Sequence, residues 1–174
     1  VILTKTEITA LLSELALQHG LRIYDVDLPR GRRGTLRVYV YKGVEPANSG
    51  VTHGDCASFS KTILDANAVD DLLPGECRLE VSSPGVNRRL STAEHFRGAV
   101  GERVLVKLRE TVCVTGVQGD NKQGEKLKTT VRGILTEFKE DKIIVDIENG
   151  QVEVSLHSIK SAHVDFPFGS SNVA

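Results

Sequence analysis

Apolar and polar positions change their spacing once along this chain, and the change divides it in two. Thr4-Lys5-Thr6-Glu7 fits a capping box, in which a hydroxyl and a carboxylate satisfy the open amides of a first helical turn. Ile8, Leu11, Leu12 and Leu15 follow at i, i+3, i+4 and i+7, so the spacing predicts a helix over 5–19 that Gly20 stops. Residues 21–29 and 35–42 then alternate with period two. Tyr24, Val26 and Leu28 share one face of the first strand, and Leu36, Val38 and Val40 share one face of the second. A hairpin is predicted, with Pro29-Arg30-Gly31-Arg32-Arg33-Gly34 at its tip. Thr52-His53-Gly54-Asp55 is a second box-like start, and Cys56, Phe59, Ile63 and Leu64 carry a helix over 54–67. Cys77, Leu79 and Val81 alternate with Arg78, Glu80 and Ser82 in a strand over 77–82. The order is α-β-β-α-β. Helices would cover one sheet face, and the other would present Ile23, Arg37, Tyr39, Tyr41 and Arg78.

Ser82-Ser83-Pro84-Gly85 ends that pattern. Pro84 fixes its own φ and turns Ser83 away from helical geometry, while Gly85 can take φ > 0. A short helix over 92–98 follows, and then strand-like runs at 103–109, 130–138, 142–148, 151–156 and 159–165. Glu148-Asn149-Gly150 is a hairpin signal, because a type I′ turn needs φ > 0 at both central residues. Short strands in a meander predict a small SH3-like barrel, with an OB barrel as the rival. A long loop over 114–129 carries Lys122, Lys126 and Lys128, and loops of that length are usually functional or mobile. The expected fold is α+β: an N-terminal α-β-β-α-β domain at 1–90, an SH3-like all-β barrel at 91–168 and a disordered tail at 169–174.

Composition narrows the chemistry. The chain has 174 residues, 40% apolar and 26% charged, as in an ordinary globular protein. A net charge of −1, evenly divided between the halves, is no electrostatic glue for nucleic acid, so any RNA contact must come from a local patch. The arginines cluster at two turns: the hairpin tip and the stretch after Gly85. Cys56, Cys77 and Cys113 are scattered and odd in number, which argues against a disulfide framework or structural zinc and suits a reducing cytosol. With no secretory pattern and no apolar run near about 18 residues, a cytoplasmic location is expected.

No constellation points to catalysis. Gly119 to Gly124 has the glycine spacing of a P-loop, but Glu125 stands where the lysine must be and would repel phosphate. Ser58-Phe59-Ser60-Lys61 matches S-x-x-K on an amphipathic helix, without the companion motifs that give it chemistry. Asp25 and Asp27 alternate on one strand and read best as a solvated face. No enzyme, cofactor or metal is expected. Tyr39-Val40-Tyr41 resembles a base-stacking platform, though two tyrosines serve equally well as strand formers with wet hydroxyls.

One stretch is specific. Leu79-Glu80-Val81-Ser82-Ser83-Pro84-Gly85-Val86-Asn87-Arg88-Arg89-Leu90, followed by Ser91-Thr92-Ala93-Glu94-His95-Phe96, resembles the signature of the bacterial ribosome maturation factor RimP family. The family's usual form is L-E-V-S-S-P-G-[LIV]-[DE]-R-P-L before a T-x-E-H-[FY] helix start. Asn87 therefore replaces an acidic residue and Arg89 replaces a proline. The resemblance implies a cytosolic, non-enzymatic assembly factor for the small (30S) ribosomal subunit, with an α/β first domain and an SH3-like barrel. It implies contact with 16S rRNA and with a small-subunit ribosomal protein near the decoding region.

Three groups of candidate contact residues result. Ser82, Ser83, Pro84, Gly85, Arg88 and Arg89 form the domain junction or a ribosome contact. Arg30, Arg32 and Arg33 form a basic hairpin tip, which is either a phosphate-reading finger or simply a tip kept soluble by charge. Lys122, Lys126 and Lys128 form a basic barrel loop. Arg88 has a structural alternative, an ion pair between the domains with Glu80 or Glu94. A monomer is expected. The alternative function is a free single-stranded RNA-binding regulator using the tyrosine face.

Overall fold

The computed structural model describes residues 4–31, 33–43, 50–66, 77–114, 126–148 and 150–166. The chain divides into two compact units, Val1–Gly85 and Val86–Ala174, each with its own apolar core. The break falls at Gly85 rather than at 90, because the residues just after it already pair with the last strand.

In the first unit, α1 (Lys5–Leu17) starts on the expected capping box. Thr4 Oγ1 accepts the Glu7 N–H, and the Glu7 carboxylate accepts the Thr4 N–H at 2.7 Å. Ile8, Leu12 and Ala16 are its most buried positions, with Leu11 and Leu15 beside them. Past its end the Leu21 N–H returns to the Ala16 carbonyl at 3.0 Å, and Gly20 takes φ +64 to allow it. Strands β1 (Arg22–Asp27) and β2 (Thr35–Tyr41) pair antiparallel, and β3 (Arg78–Ser82) joins β2 in parallel. Between them α2 (His53–Asp65) makes the crossover that parallel neighbours require. Thr52 and Asp55 form its capping box. Phe59 and Ile63 seal the core, each burial worth roughly 1.5–3 kcal/mol, whereas Leu64 is exposed instead of sharing their face.

One irregularity reverses part of the expected pattern. The β1–β2 register slips between Ile23 and Asp25, so Tyr24 is a bulge residue. Ile23 turns toward the core rather than onto the open face. Tyr24 leaves the face of Val26 and meets Tyr41 edge to face, with ring centroids 6.4 Å apart. A bulge inserts one residue and so breaks period-two counting at that point.

The second unit opens with a two-residue strand that periodicity did not reveal, β4 (Arg89–Leu90), followed by α3 (Ala93–Arg97). Then come β5 (Arg103–Val114), β6 (Lys126–Lys139), β7 (Lys142–Ile147), β8 (Gly150–Ser155), a 3-10 turn at Leu156–Ser158 and β9 (Ile159–Val164). All pair antiparallel in the order β4-β9-β5-β6-β7-β8. Among the described residues no ladder joins β8 back to β4, so the sheet is open. The fold is α+β. The β7–β8 hairpin closes at Ile147 and Gly150, which makes Gly150 the first residue of β8 rather than the centre of its turn. At Gly133 no side chain fits: a Cβ would run into the Asp146 carbonyl, so only glycine lets β6 bend this close to β7.

Strands β5 and β6 reach further than expected. Val112, Cys113 and Val114 pair with Lys128, Leu127 and Lys126, so Lys126 and Lys128 are strand residues and not loop residues. Lys122, the Gly119–Gly124 stretch and the tail at 169–174 lie outside the described residues.

Candidate functional site

The two adjacent arginines of the signature face opposite ways, and strand alternation is the reason. β4 is pinned to β9 through Arg89–His163 and Leu90–Ala162, and the Val164 N–H donates to the Arg88 carbonyl at 3.0 Å. Arg88 and Leu90 therefore point inward, and Arg89 points out. The Arg88 side chain is only 2% exposed. Its guanidinium makes a two-pronged contact with Glu102, Nη1 to Oε2 at 3.0 Å and Nη2 to Oε1, and Nη2 also reaches the Gly98 carbonyl at 3.4 Å. A planar fork is suited to this pairing. Arg88 is thus spoken for inside the second unit. Neither Glu80 nor Glu94 is its carboxylate in that contact, and both partners belong to one unit, so the pair is not a bridge between domains. Asn87, in the family's acidic position, accepts the Phe166 N–H at 2.8 Å and ties down the end of β9.

Upstream, Ser82 ends β3, Ser83 and Pro84 are half-buried, and Gly85 takes φ +74 as its turn requires. The signature thus runs from the last strand of one unit to the first strand of the next.

At the hairpin tip the chain is built rather than loose. Gly31 sits at φ +80, the Gly34 N–H returns to its carbonyl at 3.3 Å, and the Arg78 N–H donates to the Gly34 carbonyl at 3.0 Å. A Cβ at Gly34 would collide with Pro29 and the Arg30 backbone. Arg30 and Arg33 are exposed on this tip, and Arg32 lies outside the described residues.

The uncovered face of the first sheet carries all three tyrosines of the chain among charges that answer one another. Lys5 Nζ meets Asp25 at 2.6 Å, and Arg37 Nε meets Glu80 at 2.8 Å, which raises the Arg37 pKa. Burial, and then the charge of Asp27, pushes the Tyr39 hydroxyl up. Asp25, Asp27 and Glu80 share this face with Lys5, Arg37 and Arg78, so these charges balance and give a phosphate strand no cation excess around Tyr39.

The second sheet places on one face residues that lie far apart in sequence. Arg89, His163, Leu105 and Arg132 are successive cross-strand neighbours over β4, β9, β5 and β6. Lys107 pairs with Ser161 and Thr130 in the next row, and Arg103 pairs with Ile134 in the row before. Val104, Val106, Val131, Ala162 and Val164 fill the opposite, core side. Of these outward residues only Arg89 stood out in the sequence, because nothing local announces a cross-strand neighbour.

Among the described residues no group of three or more metal-ligating side chains comes together, and no helix is long and apolar enough to cross a membrane.

Two helices on one face of a three-stranded sheet, joined to an antiparallel meander, define a two-unit α+β protein. Residues 11–87 match the family model of the RimP N-terminal domain, a match confined to the first unit and its junction that supports the RimP family. That is a family of non-enzymatic ribosome maturation factors associated with the small ribosomal subunit.

Proposed function

We propose that this protein binds the immature 30S subunit and assists its assembly as a two-unit clamp with no chemistry of its own. It would act in the cytoplasm as a monomer. Arg30, Arg32 and Arg33 at the hairpin tip, with Arg89 at the junction, contact 16S rRNA phosphates, for which a guanidinium fork is well shaped. Ser82 to Gly85 set the path between the units, Arg88 anchors the start of the second, and Lys122, Lys126 and Lys128 extend the basic surface. The second unit is read as SH3-like and as the part that meets a small-subunit ribosomal protein near the decoding region. Its meander, with a 3-10 turn before a last strand that returns to β5, supports that reading. The observation that carries the proposal is the match to the RimP N-terminal domain over 11–87.

Co-sedimentation with small subunits, large subunits and joined ribosomes, at low and moderate salt, tests it. Selective retention on free small subunits at moderate salt is the expected result. Retention on none, or equal low-salt retention on all three, would sink it.

A further inference from the structure

The outer face of the β4-β9-β5-β6 sheet is a second basic surface, and we propose that it binds the phosphate backbone of RNA. This goes beyond the reading above, which gave rRNA only Arg89 of this face and assigned the second unit to a protein partner, and it does not depend on 30S binding. Alternation fixes which residues share the face, since each outward residue lies between buried neighbours of its own strand. Arg89, Arg103, Lys107 and Arg132 are all exposed on it, and half-buried His163 adds an imidazole that can donate an N–H. Among the described residues, carboxylates also share the region, with Glu148 beside Asp146 at its edge. Asp165 meets Nε of Arg103 at 3.4 Å and Nε of Arg132 at 3.0 Å, and Asp146 sits at the margin on β7, paired with Ile134. Asp165 engages Nε of each guanidinium, a group with five N–H donors.

Charge complementarity selects the occupant. Among the described residues, four permanent cations stand against Asp165 on the face and Asp146 and Glu148 at its margin, a local excess, on a chain whose total charge is −1, of the sign a phosphate strand requires. The margin changes character: a groove of about 510 Å³ runs between Arg103 and Arg132 on one side and Asp146 and Glu148 on the other, and marks where the basic face ends. Arg89 is the feature particular to this chain, since the family's usual form has proline there. The substitution fits the geometry. With Val164 N–H donating to the Arg88 carbonyl, the N–H at 89 faces away from β9, on the open edge where proline is tolerated. Exchanging proline for arginine therefore adds a cation to the face at no cost in ladder hydrogen bonds.

The test is a salt titration of binding to a labelled RNA hairpin, using the full chain and three variants. In the triple variant Arg89→Ala, Lys107→Ala, Arg132→Ala, affinity should fall about tenfold or more. The slope of log K against log salt should shrink by about two to three, roughly one for each cation removed. Arg89→Pro, which restores the family's usual residue, should shrink the slope by about one with unchanged melting. Arg30→Ala/Arg33→Ala should leave part of the slope in place. An unchanged slope in both face variants would overturn the proposal, as would complete loss of the slope in the hairpin-tip variant. Retention on small subunits that drops while RNA binding stays intact would assign the face to a protein instead, and would overturn it too.

Discussion

Each unit buries one charged side chain among its described residues, and the two are held very differently. Asp25 lies on the uncovered face of the first sheet, where it accepts the Val26 N–H at 2.8 Å and takes Lys5 Nζ, a partner that is itself half exposed. Arg88 lies inside the second unit with a carboxylate and a carbonyl around its fork. Asp25 can recover water if its partner leaves. A charge such as Arg88 stays inside only while its partners stay with it, because desolvating an unpaired ion costs several kcal/mol. The same contrast runs through the surfaces. On the first sheet's open face ion pairs neutralise one another, whereas on the second sheet's outer face cations outnumber carboxylates. Nearly equal charge totals, 0 for residues 1–90 and −1 for 91–174, therefore conceal different fields, and register creates the difference.

Three substitutions probe this contrast. Arg88→Ala should have the largest effect, about 3 kcal/mol of stability, because it strands Glu102 and the Gly98 carbonyl in a partly buried site. Hydrogen exchange should show β5 and β9 losing protection while α1 and α2 keep theirs. Equal loss in both units would break the contrast. Arg88→Lys should not restore stability, since an ammonium cannot reproduce the two-pronged contact. Asp25→Ala should cost less, about 1–2 kcal/mol, read by denaturant unfolding. A cost matching that of Arg88→Ala would show that the two burials are equivalent after all.

The smallest effect is a pH dependence. The Lys42 ammonium, and then the Thr52 amide and hydroxyl, hold the Asp55 carboxyl well below its ordinary value of 3.8. A depressed folded value contributes stability above the ordinary pKa and loses it as pH falls from there toward the folded value. The first unit should therefore melt at progressively lower temperature as pH drops below about 4. Asp55→Asn should start lower at neutral pH and flatten that decline. The Thr4 backbone, and then its hydroxyl, hold Glu7 down as well, so a residual acid dependence remains. A variant with the full original decline would remove Asp55 from the account.

Much of the architecture was legible in the chain. Both capping boxes, the α-β-β-α-β order, the core positions Ile8, Leu12, Phe59 and Ile63, and the positive φ at Gly85 follow from residues within a few positions of one another. The Leu79–Leu90 signature by itself carries the resemblance to the RimP family that the 11–87 match supports. What escaped was nonlocal. The bulge at Tyr24 exchanged the faces of Ile23 and Tyr24, and pairing between β5 and β6 drew Val114 and Lys126–Lys128 out of an expected loop. β4 was invisible because two residues carry no period.

Local spacing, caps and turn residues determined most of the helices and strands, and the Leu79–Leu90 stretch carried the family resemblance. These features act over a few residues, and the chain carries them wherever it goes. Tertiary structure alone decided that Arg88 is an internal anchor held by Glu102 while Arg89 faces out beside His163 and Arg132. Adjacent residues in a strand point to opposite faces, and the neighbours waiting on each face come from segments tens of residues away. Only the cross-strand register of β4, β9, β5 and β6 brings those segments together.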